Sequence, residues 1–335
     1  MKKTILACAL ALWPMTLIAQ DTSAINADIV ENHILPRIAT LSATGAALAD
    51  AARDDCTTPA LDAPYGAAFD AWIAVSHLRC GPIEADERGF ALAFWPDSRG
   101  ATPKALGTLI RDEDPIADNA DAYQDMSIAA RGYYALEFLL YDDTIRAAGE
   151  DAYRCQLVTT IAADIGRLTQ AVAVDWQSYA ARLTTPMPEG TYRTDTEATQ
   201  ELFKALTTGL QLTSDARLGR PLGSFDNPRP KRAEAWRSGR SAHHVRVALD
   251  SLQDLALRLS AGNPALLMQV EAAFTRARDQ LSALDDPIFA GVASPADRIK
   301  VEAIRTRVEE IRAIAGLEIG PALGVAAGFN SLDGD

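Results

Sequence analysis

Apolar residues recur at helical spacing along most of the chain, and alternating strand patterns are scarce. In residues 25–53, Ile29, Ile34, Ile38, Leu41 and Leu48 follow that spacing, and Pro36 is expected to kink the first turns. Residues 56–64 carry Thr, Pro and Asp and read as a loop. Residues 67–79 form a second helix, with Phe69, Trp72, Ile73 and Leu78 as its apolar positions and Gly81-Pro82 as its stop. Residues 82–103 are irregular, 105–110 make a short helix and 112–121 an acidic loop. A helix over 122–141 and a long one over 151–183 follow. Pro186, Pro188 and Gly190 then mark a boundary. Beyond it the pattern predicts helices over 194–212, 242–261, 264–284 and 294–315. A long loop at 215–230 carries Gly219, Pro221, Gly223, Pro228 and Pro230. The short spacers between the last three helices suit antiparallel neighbours.

The expectation is an all-α fold of two packed up-and-down helical bundles. Residues 1–19 are a leader, 20–185 the N-terminal bundle and 191–335 the C-terminal bundle. The two halves offer similar helix counts without any residue-level repeat.

Composition is consistent with this: 335 residues suffice for roughly two domains, and a 48% hydrophobic content supplies sizeable cores. Met1-Lys2-Lys3 followed by an apolar stretch to Ala19 has the form of a cleavable export signal. Cleavage near Ala19 or Gln20 is expected, with Ala24 a second possibility. No other apolar run is judged long enough to span a bilayer, so no transmembrane segment is expected in the mature chain. The formal charge of −13 becomes −15 once Lys2 and Lys3 leave. Such a surface repels nucleic acid and anionic lipid, so neither is expected as a partner. It also serves solubility.

Three cysteines, Cys56, Cys80 and Cys155, remain in a chain bound for an oxidising compartment, and three pairings are possible. In an up-and-down bundle Cys56 ends the first helix and Cys155 opens the last, on the same side. Cys80 lies at the opposite side. That geometry favours Cys56–Cys155.

The most informative stretch runs from Arg131 to Asp142 and reads as an amphipathic helix. Tyr134 and Glu137 are three apart and share a face. Gly132 leaves room for close backbone approach beside them. Glu137, among Leu136, Phe138, Leu139 and Leu140, risks burial, and a buried carboxylate must be paired or metal-bound. Either a metal ligand or the partner of an internal arginine or tyrosine satisfies it. Tyr134 has two corresponding readings, a ferric phenolate or a hydrogen-bond donor to Glu137.

This stretch resembles the Gly-x-His-x-x-Glu signature of the imelysin family, with Tyr134 where that family usually carries histidine. Ala71-Trp72, the run from His77 to Glu84, Phe94-Trp95-Pro96-Asp97, the run from Arg217 to Gly223, the run from Glu234 to Ser241 and the ending from Gly328 to Asp335 also look familial. The resemblance implies an exported, periplasmic, all-helical protein with paired bundles and a site near their junction. It implies a link to iron acquisition, with envelope iron-uptake partners, or a metallopeptidase activity. A histidine and a glutamate at i, i+3 can ligate one metal, since imidazole and carboxylate suit Fe, Zn and Cu.

The expected metal set is Glu137, Tyr134 and His77, the last supplying the imidazole that position 134 lacks. The plain alternative for His77 is a surface or helix-end histidine. Trp72 and Arg79 complete the neighbouring helix, where Arg79 equally suits C-terminal capping. Ser238 and Arg240 precede a helix whose start could receive an anion or be capped by Ser241. A zinc peptidase lacks its His-Glu-x-x-His helix here, because none of His33, His77, His243 and His244 has a partner at i+3 or i+4. Asp333-Gly334-Asp335 offers a fragment of a calcium loop without its remaining ligands. The reading is a non-catalytic protein that binds iron, another metal or a small ligand. A metallopeptidase and a metal-free envelope adaptor are its rivals.

Overall fold

A computed structural model of the chain describes residues 22–326. The leader, and the endings at Gly328–Asp335 singled out above, lie outside the described residues. Among those residues the fold is all-α, with no strand and one isolated bridge between Ser224 and Asn227.

The chain enters through α1 (Thr22–Ile29), passes a π turn at Val30–Ile34 and continues as α2 (Leu35–Asp54). The wide turn absorbs Pro36, whose missing N–H would break an ordinary ladder. The expected loop at 56–64 is almost all helix, since α3 spans Thr58–Ile73. Pro59 sits in its first turn, where a donor would be unpaired anyway. Pro64 is tolerated because Leu61 and Tyr65 on either side are fully buried. α3 also stops earlier than expected, at Ile73, so His77 and Arg79 lie in the turns beyond it.

α4 (Ala101–Asp112) precedes three 3-10 turns and α5 (Gly132–Tyr141). The stretch expected as a helix over 122–141 is therefore helical only in its second half. The break is at Gly132, where φ is +73° and a side chain would collide with the carbonyls of Ala91 and Leu92. α5 is not amphipathic. Apart from Phe138 and Tyr141 it is buried all round, which marks an internal element.

α6 (Asp151–Thr184) packs along α2. At their closest approach Gly45 faces Thr169, and a Cβ at position 45 would clash with the threonine. Contrary to expectation, α6 is long and apolar enough to cross a bilayer, but most of its apolar stretch is buried inside the protein. Its face carries the buried ion pair Arg131–Asp164, both oxygens engaged at 2.8 and 2.9 Å. A disulfide joins Cys56 to Cys155, as the bundle geometry predicted, with Cα atoms 5.4 Å apart. Cys80 is buried and free.

After the 185–194 connection come α7 (Asp195–Gln211), α8 (Ser241–Leu259), α9 (Pro264–Ser282) and α10 (Pro295–Ile314). The loop expected at 215–230 is shorter, because α7 continues through a π turn, Leu212–Leu218, and a short helix, Gly219–Leu222. Burial of Thr213, Ser214, Arg217, Leu218 and Leu222 holds that stretch helical against its glycine and proline. The entering helix joins both sides of the connection. α1 packs on α7 and α8, with Asn26 donating to the Asp195 carbonyl and accepting from Thr199. One continuous apolar core runs from Ile25 to Val325.

Candidate functional site

The centre of the molecule is polar. α5 contributes Tyr134 and Glu137, and the segment between Gly223 and α8 folds over them. Two left-handed residues, Ala235 at φ +49° and Gly239 at φ +72°, wrap that segment tightly. The Ala235 carbonyl accepts from the Ser238 hydroxyl and the Arg240 N–H. An alanine held in this region stores backbone strain, which the buried contacts of its neighbours offset.

Those contacts form two carboxylate stations. At the first, Glu234, 2% exposed, accepts from the Tyr134 hydroxyl at 2.6 Å and from Arg217 Nε at 2.7 Å. Arg217 also donates to Ser76 Oγ at 3.1 Å. Burial opposes ionisation of Glu234, but Arg217, His244 and Tyr134 outweigh it and hold its pKa at about 2. It is an anion throughout the physiological range. At the second station Glu137, also 2% exposed, receives the N–H and the hydroxyl of Ser238 on one oxygen, each at 3.0 Å. Burial raises its pKa, against the Ser238 bonds and Arg237. The two carboxyls therefore sit side by side with opposite shifts. Behind them, fully buried His244 lies 3.5 Å from Glu234 and 3.9 Å from Asp70, and burial lowers its pKa. Asp70 is held by Arg240 and His243.

Tyr134 and Glu137 open onto a cavity of about 190 Å³. Trp95 stacks on Tyr134 at 6.2 Å, and Trp236 and Phe138 form other walls. Arg237 lies over Phe138 at 3.8 Å and over Trp236 at 4.5 Å, and pairs with Asp142 at 2.7 Å. Arg220, Lys231 and Arg232 complete the rim.

Of the residues singled out in the sequence, Tyr134, Glu137 and Ser238 come together and Gly132 shapes the start of their helix. The remaining candidates lie elsewhere. Trp72 is a core residue against Tyr133. His77 does not face Tyr134 or Glu137. Its Nε2 meets His33 Nε2 at 2.9 Å, and His33 Nδ1 meets Asp254 at 2.8 Å. Arg79 pairs with Glu84 and lies over Phe90, and it caps no helix because α3 has already ended. Arg240 reaches Asp70 and the Gly66 carbonyl. Ser241 does not cap α8 with its side chain: it is the first helical residue, and its buried hydroxyl has no partner among the described residues. Tyr134 donates to Glu234, not to Glu137.

The metal that the resemblance implies does not fit these donors. The Tyr134 hydroxyl is spent on Glu234, one Glu137 oxygen is spent on Ser238 and His77 belongs to another cluster. Among the described residues no group of three or more histidines, cysteines or carboxylates is placed to hold a metal ion.

Glu234, Arg217, Trp95, Trp236 and the rim cations were not singled out as site residues. The run from Glu234 to Ser241 and Phe94-Trp95-Pro96-Asp97 were noticed only as familial segments. The signal available was the density of Trp, Arg and Glu in a segment with no helical period.

Comparison with known proteins places this architecture. An iron-regulated protein A from Synechococcus elongatus is 24% identical over 270 residues, which span 73% of this chain and 69% of the relative. The solved structure of an imelysin-like protein from Psychrobacter arcticum, 19% identical, matches with a TM-score of 0.80 over 97% of this chain and all of its own. A structure described as an iron-regulated protein A precursor from Parabacteroides distasonis, 13% identical, matches with a TM-score of 0.73 over 88% of this chain and 94% of its own. At these identities the two structures establish the fold alone. The sequence model of the family described as Imelysin matches residues 34–315, most of the chain, and the chain belongs to the imelysin family.

Proposed function

We propose that this is an exported, periplasmic binding protein connected with iron handling, that it is non-catalytic, and that it holds a small ligand in the cavity beside Tyr134 and Glu137. One observation carries the reading. A carboxylate that is 2% exposed borders a cavity, and its partner Ser238 comes from 101 residues further along the chain. A site assembled between such distant segments is the usual form of a small-molecule pocket. The link to iron rests on the relatives named iron-regulated protein A. Export rests on the basic-then-apolar start, the disulfide and a relative described as a precursor.

The metallopeptidase reading has less support. Its chemistry needs three protein ligands, an open metal position and a general base. Here the hydroxyl that replaces the signature imidazole is committed to Glu234. The test is proteolysis of an unfolded protein substrate with and without added Zn(II) and a chelator, beside elemental analysis of protein purified from the periplasm. No chelator-sensitive cleavage is expected. Cleavage that a chelator abolishes and that Glu137→Gln removes would overturn the proposal.

A further inference from the structure

The cavity beside Tyr134 and Glu137 carries a charge opposite to that of the molecule. The chain has a formal charge of −13. The cavity is nevertheless bordered by Arg220, Lys231, Arg232 and Arg237, against only Asp97 and Glu137. Both acids are already committed. Asp97 accepts the backbone N–H groups of Ala101 and Thr102 at 2.9 and 2.8 Å, which opens α4, and Glu137 accepts from Ser238. Arg237 is neutralised by Asp142.

The other three cations are not neutralised. Arg220, Lys231 and Arg232 have no carboxylate partner among the described residues, whereas the other buried or half-buried arginines nearby do. The Nε of Arg220 is buried without an acceptor, a costly state for a guanidinium donor. The same two tryptophans that wall the cavity carry these cations on their rings, Arg220 over Trp95 at 5.9 Å and Lys231 over Trp236 at 5.5 Å. Indole faces hold the charges near the opening and offer flat apolar walls to a carbon frame. A half-enclosed cluster of one sign focuses field lines toward ions of the other sign. At about 190 Å³ the cavity is smaller than a pocket for a drug-sized ligand, so it takes a compact small molecule and not a folded partner.

The geometry points to a binding site for a small polyanion, a polycarboxylate of the citrate type alone or as its ferric chelate, held by Arg220, Lys231 and Arg232 between the Trp95 and Trp236 faces. This rests on the cavity being the ligand site proposed above, and it names the ligand class. Separated cations around flat walls match several carboxylates on one carbon frame better than one compact phosphate. An arginine fork is suited to carboxylate geometry. It also reconciles iron handling with a site whose protein donors do not suit a bare metal: the iron would arrive already ligated, and the protein would read the charge of the chelate.

Isothermal titration of the mature protein with citrate, ferric citrate, inorganic phosphate and Fe(II) sulfate tests this. The variants are Arg220→Ala, Lys231→Ala and Glu137→Gln. Lys231 is exposed, so its replacement leaves the fold intact. Citrate or ferric citrate should bind, about tenfold more weakly in Arg220→Ala and several-fold more weakly in Lys231→Ala, with affinity falling as salt rises. No heat from any of the anions overturns the inference, and so does binding of phosphate alone. Fe(II) binding that Glu137→Gln abolishes and the cation variants leave untouched also overturns it, while preserving the cavity as the ligand site. Citrate binding that all three variants leave unchanged overturns both the inference and the placement of the ligand.

Discussion

Tyr134 decides the chemistry of the centre. Its hydroxyl is one of three polar groups gathered on Glu234, together with Arg217 and the His244 ring, so Glu234 is satisfied entirely by protein groups. A fully paired buried carboxylate gains little from a metal, which would have to displace Arg217 and leave a buried guanidinium unpaired. Breaking such a pair costs about 3–5 kcal/mol. Restoring the signature imidazole with Tyr134→His is therefore expected to give no measurable Fe(II) or Zn(II) binding by titration. A submicromolar site in that variant would show that a complete ligand set persists around position 134. Glu137 was legible in the sequence as a buried acid because apolar neighbours surround it. Glu234 was not, because its segment has no period from which burial can be read.

At the scale of elements, the centre depends on a helix that begins where it must. Gly132 adopts φ +73° directly against the Ala91 and Leu92 carbonyls and sets the first turn of α5. Gly132→Ala combines left-handed strain with a backbone clash and is expected to cost about 1–3 kcal/mol or more. Urea denaturation should show a lowered midpoint at unchanged slope. A variant as stable as the parent would mean that the turn relaxes freely. Other element boundaries show where the sequence misleads. Residues 58–64 and 215–222 contain Pro or Gly and read as loops, yet both are helical because Leu61, Leu218 and Leu222 are buried on them and Tyr65 beside the first. Local breakers bias the backbone by a few kcal/mol, and tertiary burial of large side chains outweighs that. Where propensity and burial agreed, as along Asp151–Thr184, the element was legible almost to the residue.

At the scale of the whole molecule, the polar interior sets a pH response. His33, His77 and His244 are all buried, and burial lowers the pKa of each below 6.5, well below for His77. For His33, the Asp254 hydrogen bond opposes this while Arg37 and Arg258 add to it. For His77, neighbouring His33, Arg37 and Arg217 add to the effect of burial, against Asp254. The sign follows from proton counting. Below about pH 6.5 the unfolded chain binds protons that the folded protein does not, so stability falls as pH drops. Each unprotonated histidine contributes a slope of up to about 1.4 kcal/mol per pH unit until its folded pKa is reached. Glu137, with its raised pKa, has the opposite sign, since acidification relieves its buried charge. Three groups outweigh one, and urea midpoints should decline from pH 7.5 to 5.5. His77→Gln should make that decline shallower, and a flat profile would show that the histidines titrate normally in the folded protein.

The amino-acid sequence by itself determined the helical class, the long core helix and the buried acid beside Gly132. Each of these depends on periodicity or on charge in an apolar context, and both are local properties. Only the tertiary structure decided that Tyr134 faces Glu234, that Ser238 holds Glu137, that His77 pairs with His33 and that unpaired cations gather on two tryptophan faces. The first three of those pairings join residues 44 to 101 positions apart. Spacing along a helix determines which residues share a face, whereas the identity of the group opposite that face depends on how distant segments pack.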